Sequence, residues 1–381
     1  MIPYGRQSLD QADIDAVLDV LKSDYLTQGP QVPKFEAAIS DYCKSKYAVA
    51  SNSATSSLHL ACMALGLKPG DRLWTSPITF VASANCARYC GADVDFVDID
   101  PRTYNLCPEA LEVKLEKAEQ TGTLPKVLVV VHLCGQSCDM KAIAKLARHY
   151  GIRIIEDASH ALGGHYNDEP IGNCAYSDIT VFSFHPVKII TAAEGGIATT
   201  NNSELAQKMQ LCRSHGITRD AEALQNPSDG PWYYEQVTLG YNYRMSDLHA
   251  ALGNAQLLKL DDFITQRQAI ADRYDTAFSD LPITRPEVLE GCKSAFHLYV
   301  VRLPERQRLL IYENLKESGI TTNVHYIPVH LQPYYRAMGF KKGDFPQAES
   351  YYSEALTLPI FPALSPDQQQ GIIETLSRSL L

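Results

Sequence analysis

The chain has 381 residues and a formal net charge of −10. That length allows two to three domains of about 150 residues each, and the acidic balance disfavours binding along nucleic-acid backbones while permitting a local positive pocket for a small phosphorylated ligand. Hydrophobic residues at 45%, with 22 glycines and 21 prolines, exclude collagen-like and low-complexity classes.

The opening segment carries Arg6, Asp10, Asp13, Asp15 and Asp19, which no signal-peptide core tolerates. No apolar run approaches the ~18 residues of a membrane span. Most of the ten cysteines sit in apolar stretches, as Cys62 does in LHLACMALGL. The Cys86–Cys90 and Cys134–Cys138 spacings lack the partner pair a zinc site needs. The expectation is a soluble cytoplasmic protein with reduced core thiols, no metal, no membrane contact and no nucleic-acid partner.

In chain order, Ser8-Leu9-Asp10-Gln11 reads as a capping box before an apolar-periodic helix over about 9–22. A second helix is expected over 34–43. Strand and helix signals then alternate: strands at 47–51, 72–76, 93–99, 126–133 and 152–159, helices at 53–67, 79–90, 108–119 and 140–151, the last closed by Gly151. The strand KVLVVVHL has the unbroken apolar character of one buried on both faces. Such alternation predicts an α/β fold with a large, mostly parallel sheet. The rhythm changes at 178–185 and 195–200, two strands with no helix between them. A helix over 203–214 follows, then a Pro/Gly-rich loop at 226–236 with Trp232, Tyr233 and Tyr234. One long helix is expected over 246–278, leading to a smaller C-terminal domain with a strand at 297–303, a helix at 306–319 and a helical end. The predicted division is 1–250 and 251–381.

Ligands of open α/β sheets sit beyond the carboxyl ends of strands, so the residues after each strand carry the argument. Asp157 ends the apolar strand IRIIED. A carboxylate there needs a partner, either as a helix cap or core ion pair, or aimed at a cationic ring nitrogen or metal. Lys188 follows the strand VFSF in a nearly charge-free stretch from His185 to Ala193. Such burial disfavours the ammonium and makes the amine nucleophilic, unless the side chain lies on the surface with its stem over apolar atoms. The run 52–57, small and hydroxyl-rich, either cradles a phosphate at a helix start or simply caps it. Together these three sites are what pyridoxal phosphate requires.

Carried by SNSATSSLHLA, TSPITFVAS, IIEDASHALGG, SDITVFSFHPVKIITAAEGGIATT and LGYNYRMSDLHAALG, the sequence resembles the DegT/DnrJ-type sugar aminotransferases among the fold type I pyridoxal-phosphate enzymes. The resemblance spans essentially the whole chain. A narrower likeness lies in IPYG at 2–5, DYLTQG at 24–29, GPWYYEQVTLGYNYR and NVHY at 323–326. It points to the aminotransferases of pseudaminic acid biosynthesis, which move an amino group from L-glutamate to C4 of a UDP-linked 4-keto-6-deoxy-N-acetyl sugar.

The resemblance implies a role for each site residue. Lys188 is the Schiff-base lysine and proton carrier. Asp157 faces the pyridine nitrogen, and His160, where many relatives carry Gln, approaches the ring. Phe80 stacks on the ring, and Ala54, Thr55, Ser56 and Ser183 hold the phosphate. Asn242 reaches the neighbouring subunit's site, which makes the enzyme a homodimer with shared active sites. Tyr4, the segment Asp24, Tyr25, Leu26 and Thr27, and the segment Asn323, Val324, His325 and Tyr326 contact the nucleotide sugar. The D-xylo epimer and GDP-linked keto sugars remain alternative substrates at this point; a sugar 3-dehydratase of the same fold, whose relatives replace the lysine by His, and a non-catalytic cofactor-binding regulatory protein are the other readings, and the presence of Lys188 and Asp157 argues against them.

Overall fold

The computed structural model of the protein describes residues 1–304 and 306–380. A seven-stranded sheet forms its centre, with β1 (Tyr47–Ser51), β2 (Arg72–Thr75), β3 (Asp93–Phe96), β4 (Val127–Val131), β5 (Arg153–Asp157), β8 (Ile179–Ser183) and β9 (Gly196–Thr200) in the order β1-β9-β8-β5-β4-β2-β3. Strands β3, β2, β4, β5 and β8 run parallel, while β9 is antiparallel to both β8 and β1. The result is the expected fold type I α/β arrangement, a large mostly parallel mixed sheet. Between β5 and β8 lie two short strands, β6 (His165–Tyr166) and β7 (Glu169–Pro170).

Strand β4 is buried along its whole length. Its alternate residues feed two different cores. Val127 and Val129 pack with Leu73, Ile155 and Leu58 on one face, and Leu128 and Val130 pack with Trp74, Ile154 and Leu111 on the other. Helices cover both faces: α3 (Ala54–Ala64), α4 (Ala82–Tyr89), α5 (Pro108–Thr121), α6 (Met140–His149) and α7 (Ser203–Arg213). Gly151 takes φ +68° just past α6, the left-handed stop its position predicted. The rest of the chain adds two ribbons and a core of its own. One ribbon pairs β10 (Ile217–Thr218) with β11 (Glu235–Gln236), and β12 (Cys292–Lys293) joins β6. Strands β13 (Tyr299–Arg302) and β14 (Ala355–Leu358) pair antiparallel. Their Tyr299, Val301, Leu356 and Leu358 pack with Tyr274 and Ile372.

Three local expectations are corrected. The first helix, α1 (Gln11–Leu21), begins after Asp10, not Ser8. Asp10 accepts from the Asp13 amide and Asp13 reaches back to the Asp10 amide, a capping box built from two aspartates. The helix expected from 79 starts only at Ala82, because Ser76 Oγ accepts from the Ile78 amide in a turn that leaves Phe80 in a loop. The long helix over 246–278 is two, α8 (Asp247–Leu257) and α9 (Leu260–Ala277). Around this break Gln256 donates to the Ser8 carbonyl and Asp13, and Lys259 Nζ binds Asp13 at 2.5 Å and Asp10 at 3.0 Å. Tertiary anchoring of the N-terminal helix, not a Gly or Pro, accompanies the interruption.

Candidate active site

The carboxyl ends of β4, β5 and β8 and the β1–α3 turn converge on a cavity of about 570 Å³. It is lined by Tyr4, Ala54, Thr55, Phe80, Asp157, His160, Ser183, Lys188, Asn323, Val324, His325 and Tyr326 from the predicted set. Strand register explains the convergence. Ser51 on β1 and Ser183 on β8 both pair with Gly196 on β9. A Cβ at Gly196 would strike the backbone of Ser53 and Ala54. Glycine therefore lets the start of α3 settle against the strand beside Ser183.

Asp157 is 6% exposed and lines the cavity. Ser83 Oγ donates to its Oδ2 at 2.6 Å, and the Ser159 amide and hydroxyl donate to its Oδ1 at 3.1 and 2.6 Å. These neutral donors fix the carboxylate and leave lone pairs free for a cationic partner. Glu156, one residue earlier on the strand, points to the opposite face, where it meets the buried His132 at 2.7 Å. Lys188 is half-buried, and its amine makes no hydrogen bond among the described residues. Desolvation pulls it from the ordinary 10.5 down to about 8, with the Asp157 charge opposing the drop. Near physiological pH such an amine is neutral far more often than an ordinary lysine, and its neutral fraction is a competent nucleophile and proton carrier.

His160 accepts from the Cys134 amide through Nδ1 at 3.3 Å and lies 3.1 Å from the Tyr326 hydroxyl through Nε2. Burial, Lys188 and His325 keep the ring neutral, its pKa well below the ordinary value. With Nδ1 accepting, the proton resides on Nε2 and is donated to Tyr326. The Tyr326 O–H is thereby left free to donate into the cavity. His325 is held by Thr357 Oγ1 at 2.8 Å on Nδ1 and faces Asn323 at 3.4 Å on Nε2. Desolvation, with Lys188 adding to it, takes its pKa down to about 4. Tyr4 packs on the His325 ring at 5.3 Å between centroids. Phe80, 58% exposed, stands near Tyr326 at the cavity mouth.

Several predicted residues are placed elsewhere. Ser56 does not line the cavity, because its hydroxyl donates to Asn52 and its amide to Ser53 Oγ. Asp24, Tyr25, Leu26 and Thr27 are exposed and lie outside their own chain's cavity, as does exposed Asn242. The two segments are nevertheless neighbours, since Thr27 bridges to Ser246 and the Asp247 amide donates to the Leu26 carbonyl. Trp232 and Tyr234, in the loop at 226–236, are exposed. No group of three or more metal-ligating side chains occurs among the described residues.

The cavity also holds a residue the sequence did not reveal. His297 lines it, packs on His160 at 4.5 Å between centroids, and leaves Nδ1 without a partner although buried. Desolvation, aided by Lys188, keeps this ring neutral too. Its only sequence signal was one polar residue at the head of the apolar run HLYVVRL.

Residues 7–377 match the DegT/DnrJ/EryC1/StrS aminotransferase family. The chain belongs to that family. A UDP-4-amino-4,6-dideoxy-N-acetyl-beta-L-altrosamine transaminase of Campylobacter jejuni is 39% identical over 99% of this chain and 96% of its own length. The structure of Helicobacter pylori PseC, an aminotransferase involved in pseudaminic acid biosynthesis, superposes with a TM-score of 0.91 at 32% identity, covering 100% of this chain and 99% of that one. The PLP form of Streptococcus pneumoniae Spr1654 superposes with a TM-score of 0.89 at 31% identity, covering 99% of this chain and 98% of that one. The protein is a sugar aminotransferase dependent on pyridoxal phosphate. Its cavity fits that cofactor: an amine of lowered basicity with no hydrogen-bond partner among the described residues, a carboxylate with free lone pairs, and a helix start that a side chain at Gly196 would displace. No helix is long and apolar enough to cross a membrane among the described residues.

Proposed function

We propose that the enzyme transfers the amino group of L-glutamate to C4 of a UDP-linked 4-keto-6-deoxy-N-acetylhexosamine, the reaction type used in pseudaminic acid biosynthesis. The observation that carries the catalytic part is the unbonded Lys188 amine sharing one cavity with Asp157. The likeness to the Campylobacter transaminase supports the choice of sugar.

Pyridoxal phosphate, when bound, supplies an electron-accepting ring that stabilises negative charge at the carbon carrying the transferred nitrogen. Asp157 holds the ring nitrogen protonated, and Ser83 and Ser159 fix its orientation. Lys188 Nζ would hold the cofactor and carry the proton removed from and returned to the reacting carbon. Ala54, Thr55 and Ser183 hold the phosphate, with Ser56 acting only through the helix cap it builds. Phe80 covers the ring face, and Tyr326 presents its hydroxyl proton to the reacting oxygen. Tyr4, Asn323, Val324 and His325 shape the sugar pocket. In this reading residues 1–250 form the cofactor lobe and 251–381 the lobe closing over the sugar.

Asp24 to Thr27 and Asn242 serve the site of a second copy of the chain, so the working unit is a cytoplasmic homodimer. Their exposure and adjacency, away from their own cavity, support that role. The test is product analysis with a panel of UDP- and GDP-linked 4-keto-6-deoxy sugars and L-glutamate. The reading expects 4-amino products from UDP-linked N-acetyl sugars. Turnover confined to GDP-linked sugars would overturn the substrate, and no turnover of any sugar would overturn the whole reading.

A further inference from the structure

None of the ten cysteines lines the cavity. All ten are free thiols. Three of them lie side by side where α3 packs on α4. Cys62, Cys86 and Cys90 pack into one apolar cluster, with the Cys62 thiol near enough to those of Cys86 and Cys90, and Cys90 near enough to His59, to shift one another's charge. His59 and Cys62 are three residues apart on α3, and Cys86 and Cys90 are four apart along α4 and its cap. Each pair therefore shares a helix face. Cys86 Sγ is fixed by donating to the Ser83 carbonyl at 3.2 Å. His59 is fixed through Nδ1 to the Tyr243 hydroxyl at 3.2 Å and lies among the rings of Tyr89 and Tyr241.

The three thiols differ in access. Cys62 and Cys86 are buried, whereas Cys90 is partly open to solvent. They also differ in charge. The neighbouring Cys62 thiol, together with His59, holds Cys90 below the ordinary thiol value, while Cys62 is raised well above it. Burial moves other thiols the opposite way, Cys174 and Cys292 to about 11 and Cys134 to about 12. A partly open thiol of lowered basicity beside a buried thiol is the arrangement of a redox-reactive cysteine with a resolving partner.

We propose that Cys90 is a peroxide-reactive modification site and that Cys62 resolves it into a disulfide joining α3 to α4. The Cys90 thiolate attacks one oxygen of a hydroperoxide. The S–O bond forms, the O–O bond breaks, and the departing oxygen leaves as hydroxide or alkoxide and takes a proton from water. Sulfur loses two electrons and the peroxide gains them. The Cys62 sulfur then attacks Cys90, the S–O bond breaks, and the leaving hydroxide takes the Cys62 proton to give water.

The two helices begin at the cavity. Ala54 and Thr55 of α3 line it, and Ser83 of α4 holds Asp157. A bridge between them connects the thiol cluster to both supports of the cofactor.

The test uses the holoenzyme treated with stoichiometric hydrogen peroxide, alkylated, and mapped by mass spectrometry. The expected product is a linked pair of Cys62 and Cys90 peptides, reversed by dithiothreitol and absent in Cys90→Ser. A Cys62→Ser variant should instead accumulate sulfenic acid on Cys90, trapped by dimedone. Iodoacetamide at neutral pH should modify Cys90 at least about tenfold faster than Cys43 or Cys174. Peroxide consumption without modification of Cys90, linkage of Cys86 to Cys90, or equal alkylation of all thiols would overturn the proposal. Because the readouts are chemical, they stand whatever sugar the enzyme uses.

Discussion

In the cofactor-free enzyme Lys188 should titrate far below an ordinary lysine. Burial is the leading cause, and the nearby Asp157 charge limits the fall, leaving the group at about 8 against an ordinary 10.5. At pH 7 these values correspond to about 9% and about 0.03% neutral amine, a gain of about 300-fold in nucleophile. The sign is fixed by the direction. The folded chain gives up this proton at a pH where the unfolded chain still holds it, so stability of the cofactor-free protein rises with pH through the window from about 8 to 10.5. The assay is acylation of the cofactor-free protein at pH values across that window and below it, with the Lys188 peptide quantified by mass spectrometry against added N-acetyl-lysine amide. The expected midpoint is near 8. Substituting Asp157→Asn removes the charge that holds the value up, so the midpoint should move lower still. A wild-type midpoint matching the reference amine would refute the reasoning that burial prepares this lysine.

Other consequences are open to direct measurement. Asp157→Asn should keep the side-chain shape and bind cofactor, yet lose about ten- to hundredfold in kcat, the worth of a charge-assisted hydrogen bond of about 1.5–3 kcal/mol. Wild-type turnover in that variant would remove Asp157 from its role. Tyr326→Phe leaves the His160 Nε2–H without its acceptor and removes a donor from the cavity, so kcat/KM should fall about tenfold with little change in Tm; an unchanged kcat/KM would make the hydroxyl a packing group. Mixing inactive Lys188→Ala chains with inactive Asn242→Ala chains should restore about a quarter of wild-type activity, because half the dimers are mixed and each of those has one intact site. No recovery on mixing would place Asn242 outside a shared site.

Much of this architecture is legible in the sequence because it rests on local rules. The parallel strands show as apolar runs, and the ligand-bearing positions follow strand ends, so Asp157 and Lys188 stand out by contrast with their surroundings. What was not legible depends on distant partners. The start of α1 is set by Asp10 and Asp13, whose carboxylates also hold Lys259 from the far side of the sequence. The same contact accompanies the break between α8 and α9, where no helix-breaking residue marks it. The pairing of β13 with β14 joins segments more than 50 residues apart. His297 enters the cavity only through tertiary folding, and its unpaired nitrogen cannot be read from composition. Ser56 carried the right chemistry for a phosphate contact, but local hydrogen bonds to Asn52 and Ser53 claim it first. Cys62 and Cys90 read alike as reduced thiols, and only the packing of two helices distinguishes the partly open one from its buried neighbour.

The central claim is that nitrogen passes from an amino acid to a sugar carbon in the cavity around Lys188. Incubating the enzyme with 15N-labelled L-glutamate and a UDP-linked 4-keto-6-deoxy-N-acetylhexosamine, then weighing the nucleotide sugar, tests it most directly. One 15N should appear on the sugar for each 2-oxoglutarate formed, and none with Lys188→Ala. An unlabelled sugar, or labelling that persists without Lys188, would contradict it.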